Sequence, residues 1–253
     1  MSLEDKLNHW ENRAKAGIDM FVFASDIHIP YENKPAIKLL KTFIEEYQPE
    51  TLILGGDIVD MYSVSSYSKD PSRAFKLQRE INKTVEFLED VREILPESRI
   101  VYLEGNHENR LQRWLLKNPD LYGLDALTIP SLLFLEPLEI EYKRELMHKN
   151  FLFTHGDYVN KYQANKELEV KGVSGMSGHK HTRQHIAKTT RGGTDDWTSV
   201  GHLSNEKKAE YVVAPNWQIG FGVVYFQGKD HFAENIPILK GNKIIYEGRE
   251  ISE

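Results

Sequence analysis

The sequence predicts an α/β (α+β) fold that forms a single domain over residues 1–253. Two observations predict it. As far as residue 154, short apolar segments of strand character alternate with amphipathic helical segments. From residue 184 onward, short strand-like segments follow one another, separated by Gly, Pro and Asn. We find no internal repeat, low-complexity tract or linker, which favours one domain.

The first half of the chain is predicted to alternate helix and strand. An N-terminal helix is expected within residues 1–17, because Leu3, Leu7 and Trp10 recur on one face and Gly17 can end it. We expect this helix to cover an edge of the fold. The strands that follow are predicted at 20–24, 51–54, 99–103, 151–154 and 173–177, and the helices at 33–47, 72–95 and 110–117.

Two of these helices carry clear signals at their ends. Asn33 and Pro35 are typical of a helix start and precede a regular apolar face. Ser72 can cap the long helix that Pro96 ends. The later strands are predicted at 211–213, 221–226, 236–239 and 244–246.

Residues from about 108 to 149 are harder to assign. Pro119, Pro130 and Pro137 interrupt the pattern, and neither helical nor strand periodicity is sustained. We therefore expect this segment to be the candidate cap over a functional site.

The composition excludes several classes of protein. The chain carries 38 acidic and 32 basic residues, a net charge of -6, with no basic stripe that would follow a polyanion. It has no cysteine, which excludes disulfides and thiolate metal ligands and fits a reducing cytoplasm. We see no signal peptide and no apolar stretch of about 18 residues. A cytoplasmic protein with no membrane partner is expected, and its oligomeric state is left open.

Polar side chains follow five of the predicted strands. A lone Asp-x-His or Gly-Asn-His is more often a tight turn than a metal site, and a lone His after a strand is more often a buried imidazole with a partner. Five such clusters together indicate a metal centre, because ligands gather at the carboxyl ends of strands. The clusters are Asp26 with His28, Asp57, Asn106 with His107, His155, and His179 with His181.

The residue types indicate which ions would bind. Imidazole and carboxylate together suit Mn, Fe, Zn, Co or Ni, whereas an all-oxygen set would suit Ca or Mg. Two ions about 3.5–4 Å apart require a bridging ligand. Asp57, directly after the strand at 51–54, is our candidate bridge.

These motifs resemble those of the calcineurin-like metallophosphoesterase family, and most closely its small phage and bacterial members. The resemblance implies two mixed β-sheets packed as a sandwich and flanked by helices, in four αββα layers, with metals at one edge. The motifs that carry it are Asp26-x-His28, Gly56-Asp57-x-x-Asp60, Gly105-Asn106-His107-Glu108, His155 and Gly178-His179-x-His181.

The resemblance also implies a role for each residue. His107 would act as general acid, and Asp60 would orient it, although Asp60 could instead be a plain turn residue. Arg110 would contact a substrate phosphate, or else pair with Glu108 or cap a helix. Mn²⁺ is the favoured ion, with Fe, Zn, Co and Ni as alternatives. The implied ligands are Asp26, His28 and His181 for the first metal, Asn106, His155 and His179 for the second, and Asp57 for both.

Three functions remain open at this point. The first is hydrolysis of phosphomonoesters or phosphodiesters, in which a metal-bridged hydroxide attacks phosphorus. The second is a metal-dependent nuclease that cleaves DNA or RNA, as an exonuclease or endonuclease. The third, a non-catalytic interaction module, is disfavoured because His107 is present. Met61, Tyr62 and Glu104 depart from the pattern of serine/threonine protein phosphatases, but the substrate is otherwise open.

Overall fold

The computed structural model describes residues 3–66, 76–205 and 216–252. Strands and helices alternate along the first part of the chain, and strands dominate the last part. The helices are α1 (Leu3–Ala16), α2 (Lys34–Tyr47), α3 (Leu77–Ile94), α4 (Asn109–Leu115), α5 (Ile129–Leu132) and α6 (Gln163–Lys171). The strands are β1 (Ile18–Ala24), β2 (Thr51–Leu54), β3 (Arg99–Leu103), β4 (Ile140–Lys143), β5 (Glu145–His148), β6 (Phe151–Thr154), β7 (Ser174–Ser177), β8 (Gln184–Thr190), β9 (Gly193–Ser199), β10 (Gly220–Gln227), β11 (Asp230–Pro237), β12 (Lys243–Tyr246) and β13 (Arg249–Ser252).

The strands form two mixed sheets and a small ribbon. The first sheet has the order β11-β10-β1-β2-β3-β4, in which β1 to β4 run parallel and β10 runs antiparallel to both neighbours. The second has the order β5-β6-β7-β9-β8, with β6, β7 and β9 parallel. The strands β12 and β13 pair with each other and form the ribbon.

The two sheets pack face to face over an aromatic core. Phe21 and Phe23 of β1 contact Phe153 of β6, and Met176 of β7 belongs to the same buried cluster. The outer face of the first sheet is covered by α2 and α3, and that of the second by α6, which buries Ala164 and Leu168 against Trp197. The predicted αββα layers are therefore confirmed.

Most predicted elements of the first half are confirmed. The predicted strands correspond to β1, β2, β3, β6 and β7, and Asn33 caps α2 by accepting a hydrogen bond from the N–H of Ala36. The predicted strand at 236–239 covers only the end of β11. Ser72 and the predicted strand at 211–213 lie outside the described residues. The helix α6 was not predicted, because few apolar residues mark its inner face.

The candidate cap at about 108–149 is wrong for residues 140–148. Here β4 pairs with β3 at the edge of the first sheet, and β5 pairs with β6 at the edge of the second. Of the two short strands, β4 pairs with a strand that is distant in sequence, whereas β5 forms a tight hairpin with β6. The chain thus crosses between the sheets at this point. A cap role for residues 108–139 stays a prediction.

No helix within the described ranges is long and apolar enough to cross a membrane.

Candidate metal centre

Five loops meet at one edge of the sandwich, after β1, β2, β3, β6 and β7. Their backbones are hydrogen-bonded to one another directly. The N–H of Asp26 donates to the carbonyl of Gly56 (3.1 Å), and the N–H of His28 donates to the carbonyl of Asp57 (2.9 Å). Parallel strands end at the same edge, so side chains far apart in sequence are brought together.

Five residues of this edge have the left-handed backbone conformation, which is uncommon for residues other than glycine. Each such residue costs about 1–3 kcal/mol unless its surroundings stabilise it, and such strain is concentrated at functional sites. All five are predicted metal ligands. They are Asp26 (φ 57°), His28 (φ 55°), Asp57 (φ 52°), His179 (φ 74°) and His181 (φ 62°).

Close backbone contact at this edge requires glycine. Gly56 has φ +86°, and a Cβ there would lie 2.8 Å from both the backbone nitrogen of Gly105 and Nδ1 of His155. A Cβ on Gly105 would lie 2.3 Å from Oδ1 of Asp57. Any side chain at either position would push the loops that carry Asp57 and His155 apart.

The first group of ligand atoms comes from Asp26, His28 and His181. Nε2 of His28 lies 3.2 Å from Nε2 of His181, and that atom lies 3.2 Å from Oδ1 of Asp26. Oδ1 of Asp26 is buried and accepts no well-aligned hydrogen bond from the described residues. Oδ2 of Asp57 lies 4.0 Å from Nε2 of His28. These atoms face a common point.

The second group comes from Asn106, His155 and His179. Nε2 of His155 lies 3.2 Å from Oδ1 of Asn106 and 3.1 Å from Nδ1 of His179. It also lies 3.4 Å from Oδ2 of Asp57. Ligands bound at about 2.1 Å to one ion are separated from each other by about 3.0–3.4 Å. The spacing in both groups fits such an ion.

The imidazole tautomers support cation binding. Nδ1 of His155 lies 2.9 Å from the carbonyl oxygen of Gly55, which can only accept, so this nitrogen carries a hydrogen. Nδ1 of His28 lies 3.2 Å from Oδ1 of Asp60 in the same way. In neutral imidazoles the Nε2 lone pairs therefore point into the two groups. Lone pairs of nitrogen and oxygen that face each other repel unless a cation or a proton lies between them.

The carboxylates of the site are held ionised. Burial by itself would raise the pKa of Asp57, but the facing His107 and His155 lower it well below its usual range. Burial likewise opposes ionisation of Asp60, and hydrogen bonds from His107 and His28 lower its pKa. Burial would lower the pKa of His155, yet the charge of Asp57 raises it to about 10. In the metal-free protein His155 is thus protonated, and this proton lies where a cation would bind.

His107 and Asp60 form a contact pair beside the first group. Nδ1 of His107 lies 3.0 Å from Oδ1 of Asp60, and Nε2 lies 3.6 Å from Oδ2 of Asp57. The same Oδ1 of Asp60 contacts Nδ1 of His28, which the sequence did not indicate. Asp60 therefore contacts a predicted metal ligand and the predicted general acid. Burial lowers the pKa of His107, and the nearby His28 lowers it further. The negative charges of Asp57 and Asp60 raise it, but by less.

Arg110 lies next to His107 and does not pair with Glu108. Its Nη1 donates to the carbonyl oxygen of Asp60 (2.7 Å), and its Nη2 lies 2.7 Å from Nε2 of His107. Since a guanidinium can only donate, Nε2 of His107 accepts in this arrangement. Arg110 is thus placed at the side of the site where His107 is exposed.

Glu108 is a residue whose role sequence reasoning missed. It is buried, and its carboxylate accepts from the backbone N–H groups of Asp57 and Ile58 (2.9 Å each), from Gly105 (2.9 Å) and from the hydroxyl of Tyr102 (2.7 Å). Burial raises the pKa of Glu108, yet each oxygen already accepts from two or more donors, which leaves no place for a proton. Glu108 thus ties the loop of Asp57 to that of Asn106.

We expect Glu108→Gln to lower the free energy of unfolding by about 3 kcal/mol, because the amide would turn N–H hydrogens toward buried N–H donors. For a chain of this size the midpoint of thermal unfolding should fall by about 6–12 °C. The measurement is calorimetry on the metal-free protein. Glu97→Gln, at an exposed position, is the matched control and should change little. Equal midpoints for the two variants would contradict the role of Glu108.

His202 and Trp217 also contact the site. The rings of His202 and His181 stack at 4.8 Å with an angle of 21°, and Trp217 meets His181 edge-on at 4.7 Å. Burial, and next the nearby His181, lower the pKa of His202 to about 3, so it is neutral. No motif marked these residues. They confine the ring of His181, whose Nδ1 has no hydrogen-bond partner among the described residues.

The structure brings all the residues predicted for the site to one edge. Two groups of possible ligand side chains fall within the two predicted metal sites. Asp26, His28 and His181 belong to the first site, and Asp57, His155 and His179 belong to the second. A third set, His28, Asp57 and His107, overlaps both.

Comparison with known proteins identifies the family. The model of the calcineurin-like phosphoesterases matches residues 20–246. The chain belongs to the calcineurin-like phosphoesterase family. Metal dependence and a phosphoester substrate follow from this membership and from the ligand groups above. The chain is accordingly a hydrolase that acts on phosphoric ester bonds.

Two phage proteins are similar to this family member along most of their length. The Gene 54 protein of Mycobacterium phage D29 is 30% identical over 242 aligned residues, and the match covers 87% of this chain and 94% of that protein. The Gene 54 protein of Mycobacterium phage L5 is 27% identical over 250 residues, or 90% and 96%. Among solved structures, a dimetal phosphatase from Danio rerio aligns with a TM-score of 0.45 and 10% identity, covering 85% of this chain and 98% of that one.

Proposed function

We propose that this chain is a dinuclear phosphoesterase that hydrolyses phosphomonoesters or phosphodiesters. One observation carries the proposal. Oδ2 of Asp57 faces both ligand groups, at 4.0 Å from Nε2 of His28 and 3.4 Å from Nε2 of His155. A single carboxylate in this position suits two ions that share it.

The seven predicted ligands would hold the two ions. When bound, the ions supply a water that is nucleophilic near neutral pH and positive charge beside the phosphoryl oxygens. Mn²⁺ suits this mixture of imidazole, carboxylate and amide oxygen, as do Fe, Zn, Co and Ni. The ligands are Asp26, His28, Asp57, Asn106, His155, His179 and His181.

The remaining residues act on the substrate. His107 donates a proton to the leaving oxygen from Nε2, while Asp60 holds Nδ1 and keeps the ring oriented. The protonated form of His107, which gives up its positive charge when it donates this proton, is stabilised beforehand by Asp60, which is ionised and buried. Arg110, which contacts Nε2 of His107 at 2.7 Å, is placed to exchange this contact for a phosphate oxygen.

The test is hydrolysis by the metal-stripped protein after reconstitution. With Mn²⁺ we expect turnover of p-nitrophenyl phosphate or of bis-p-nitrophenyl phosphate, and none after removal of the ion with a chelator. Metal analysis should find two ions per chain. A protein that binds one ion, or that hydrolyses neither ester with Mn, Fe, Co, Ni or Zn, would refute the proposal.

A further inference from the structure

A cavity of about 740 Å³ opens next to the second ligand group. Its lining includes three predicted ligands, three basic residues and three acidic residues. They are Asn106, His155 and His179, then Arg113, Arg144 and Lys171, and then Glu104, Glu145 and Asp157. Neither His107 nor Arg110 is among the described residues that line it. The cavity therefore adjoins the second ligand group, whereas the predicted proton donor contacts His28 of the first group, at 3.2 Å between the two Nδ1 atoms. Its volume is in the range that holds small organic ligands.

The basic residues of this cavity differ in how they are paired. Lys171 donates to Asp157 (2.8 Å) and lies 3.9 Å from Glu145, so its charge is offset. Arg144 is exposed and has no acidic partner within the described part of the chain. Of the acidic residues in the lining, Asp157 and Glu145 face Lys171, and Glu104 accepts hydrogen bonds from Asn109 and Tyr142.

Arg113 is held in place without being neutralised. Its Nε donates to Oδ1 of Asn109 (2.9 Å), and its Nη2 donates to the backbone carbonyl of Asn106 (3.2 Å). Both partners are uncharged oxygens, and no acidic group pairs with Arg113 in the described ranges. The guanidinium is thus fixed next to a predicted metal ligand and keeps its full charge for an anion. Arginine binds phosphate through two parallel hydrogen bonds, which favours this use.

The position of the cavity distinguishes two kinds of ester. In hydrolysis, water loses a proton to the solvent and its oxygen bonds to phosphorus, the P–O bond to the leaving group breaks, and the leaving oxygen takes a proton from His107. A diester keeps its second ester bond, and this retained arm extends away from the leaving group. A monoester has no such arm, so nothing in it would occupy the cavity.

We propose, building on the function above, that the cavity binds the retained arm of a phosphodiester, and that Arg113 and Arg144 bind a further phosphate on that arm. The substrate class is a phosphodiester with a second phosphate within reach of the first. An oligonucleotide and a small dinucleotide share this chemistry. Arg113 and Arg144 are specificity residues in this assignment, and the metal ligands are common to every ester.

The test compares two chromogenic diesters that differ by one phosphate. One is the p-nitrophenyl ester of thymidine 5′-phosphate, and the other is the same compound with a 3′-phosphate. With the Mn²⁺-loaded full chain, we expect kcat/KM to be higher for the ester with the 3′-phosphate. The increase should be about tenfold for each arginine that binds this phosphate. This preference should decrease as the salt concentration rises.

Variants locate the preference. The ratio of the two kcat/KM values should fall to about one in the double variant Arg113→Ala/Arg144→Ala. Arg191→Ala removes an exposed arginine on the turn between β8 and β9 and should leave the ratio unchanged. A ratio near one in the unmodified protein, or a double variant that loses activity equally on both esters, would overturn the inference.

The same experiment separates this inference from the proposed function. If both thymidine esters are hydrolysed equally, the phosphoesterase stands and the role of the arginines falls. If neither these esters nor the p-nitrophenyl phosphates are hydrolysed, the proposed function itself fails. Labelled single-stranded oligonucleotides then identify the natural substrate. Cleavage that depends on the two arginines would assign a nucleic acid. Intact oligonucleotides, together with an arginine-dependent preference among the thymidine esters, would assign a small dinucleotide.

Discussion

Asp57→Asn is expected to lower kcat/KM by about three orders of magnitude or more and to leave the chain with fewer than two bound ions. The amide is close in shape to the carboxylate, and its oxygen can still accept the hydrogen bond from the N–H of His107, which is 2.8 Å long in the native protein. It lacks the negative charge that faces both ligand groups. Loss of several kcal/mol of electrostatic stabilisation corresponds to this fall in rate, since about 1.4 kcal/mol is tenfold.

The measurements for Asp57→Asn are metal content per chain and steady-state kinetics with Mn²⁺. Asp120→Asn, at an exposed position outside the site, is the matched control and should retain two ions and full activity. A comparison of thermal unfolding in the metal-free state checks that the variant folds. Two ions per chain in Asp57→Asn would disprove the bridging role.

His107→Ala is expected to lower kcat by about 10²–10⁴-fold for esters with poor leaving groups, such as alkyl phosphates, while two ions remain bound. For p-nitrophenyl esters the loss should be much smaller, because p-nitrophenolate leaves without a proton. The structural reason is the contact of Nδ1 with Oδ1 of Asp60 (3.0 Å), which directs Nε2 to the open side of the site.

The measurement for His107→Ala is kcat across a series of esters whose leaving groups differ in pKa. A steeper dependence on leaving-group pKa in the variant supports the acid role. His185→Ala is the control, since the His185 side chain is 51% exposed and remote from the ligand groups. The same loss for good and poor leaving groups would show that His107 binds the substrate or the metals instead of donating a proton.

The candidate ligand residues could be predicted because their signals are local. Asp26 and His28 follow β1 within a few residues, and Asp57 follows β2 after two glycines. An apolar strand that ends in a short polar motif can be recognised without its neighbours. Such strands also end at a common edge when they are parallel, which is why separate motifs predicted one centre.

The partners of these ligands were not predictable, because they depend on contacts between distant segments. Glu108 accepts from the N–H of Asp57, which is 51 positions away, and no motif shows that its carboxylate points inward. His202 and Trp217 contact His181 from a part of the chain that lacks any metal pattern. The double contact of Asp60 with His28 and His107 is of the same kind.

The sequence by itself determined the α/β class and the family, whose resemblance implied the αββα layers, and it indicated the candidate ligand residues. Each of these depends on short-range patterns of burial and residue type. Tertiary structure alone decided how the chain crosses between the sheets at 140–148 and which cations remain unpaired. In the sequence alone, nothing distinguishes the charges of Arg113, Arg144 and Lys171. Only packing places Lys171 between Asp157 and Glu145 and leaves the two arginines facing the cavity beside the second ligand group.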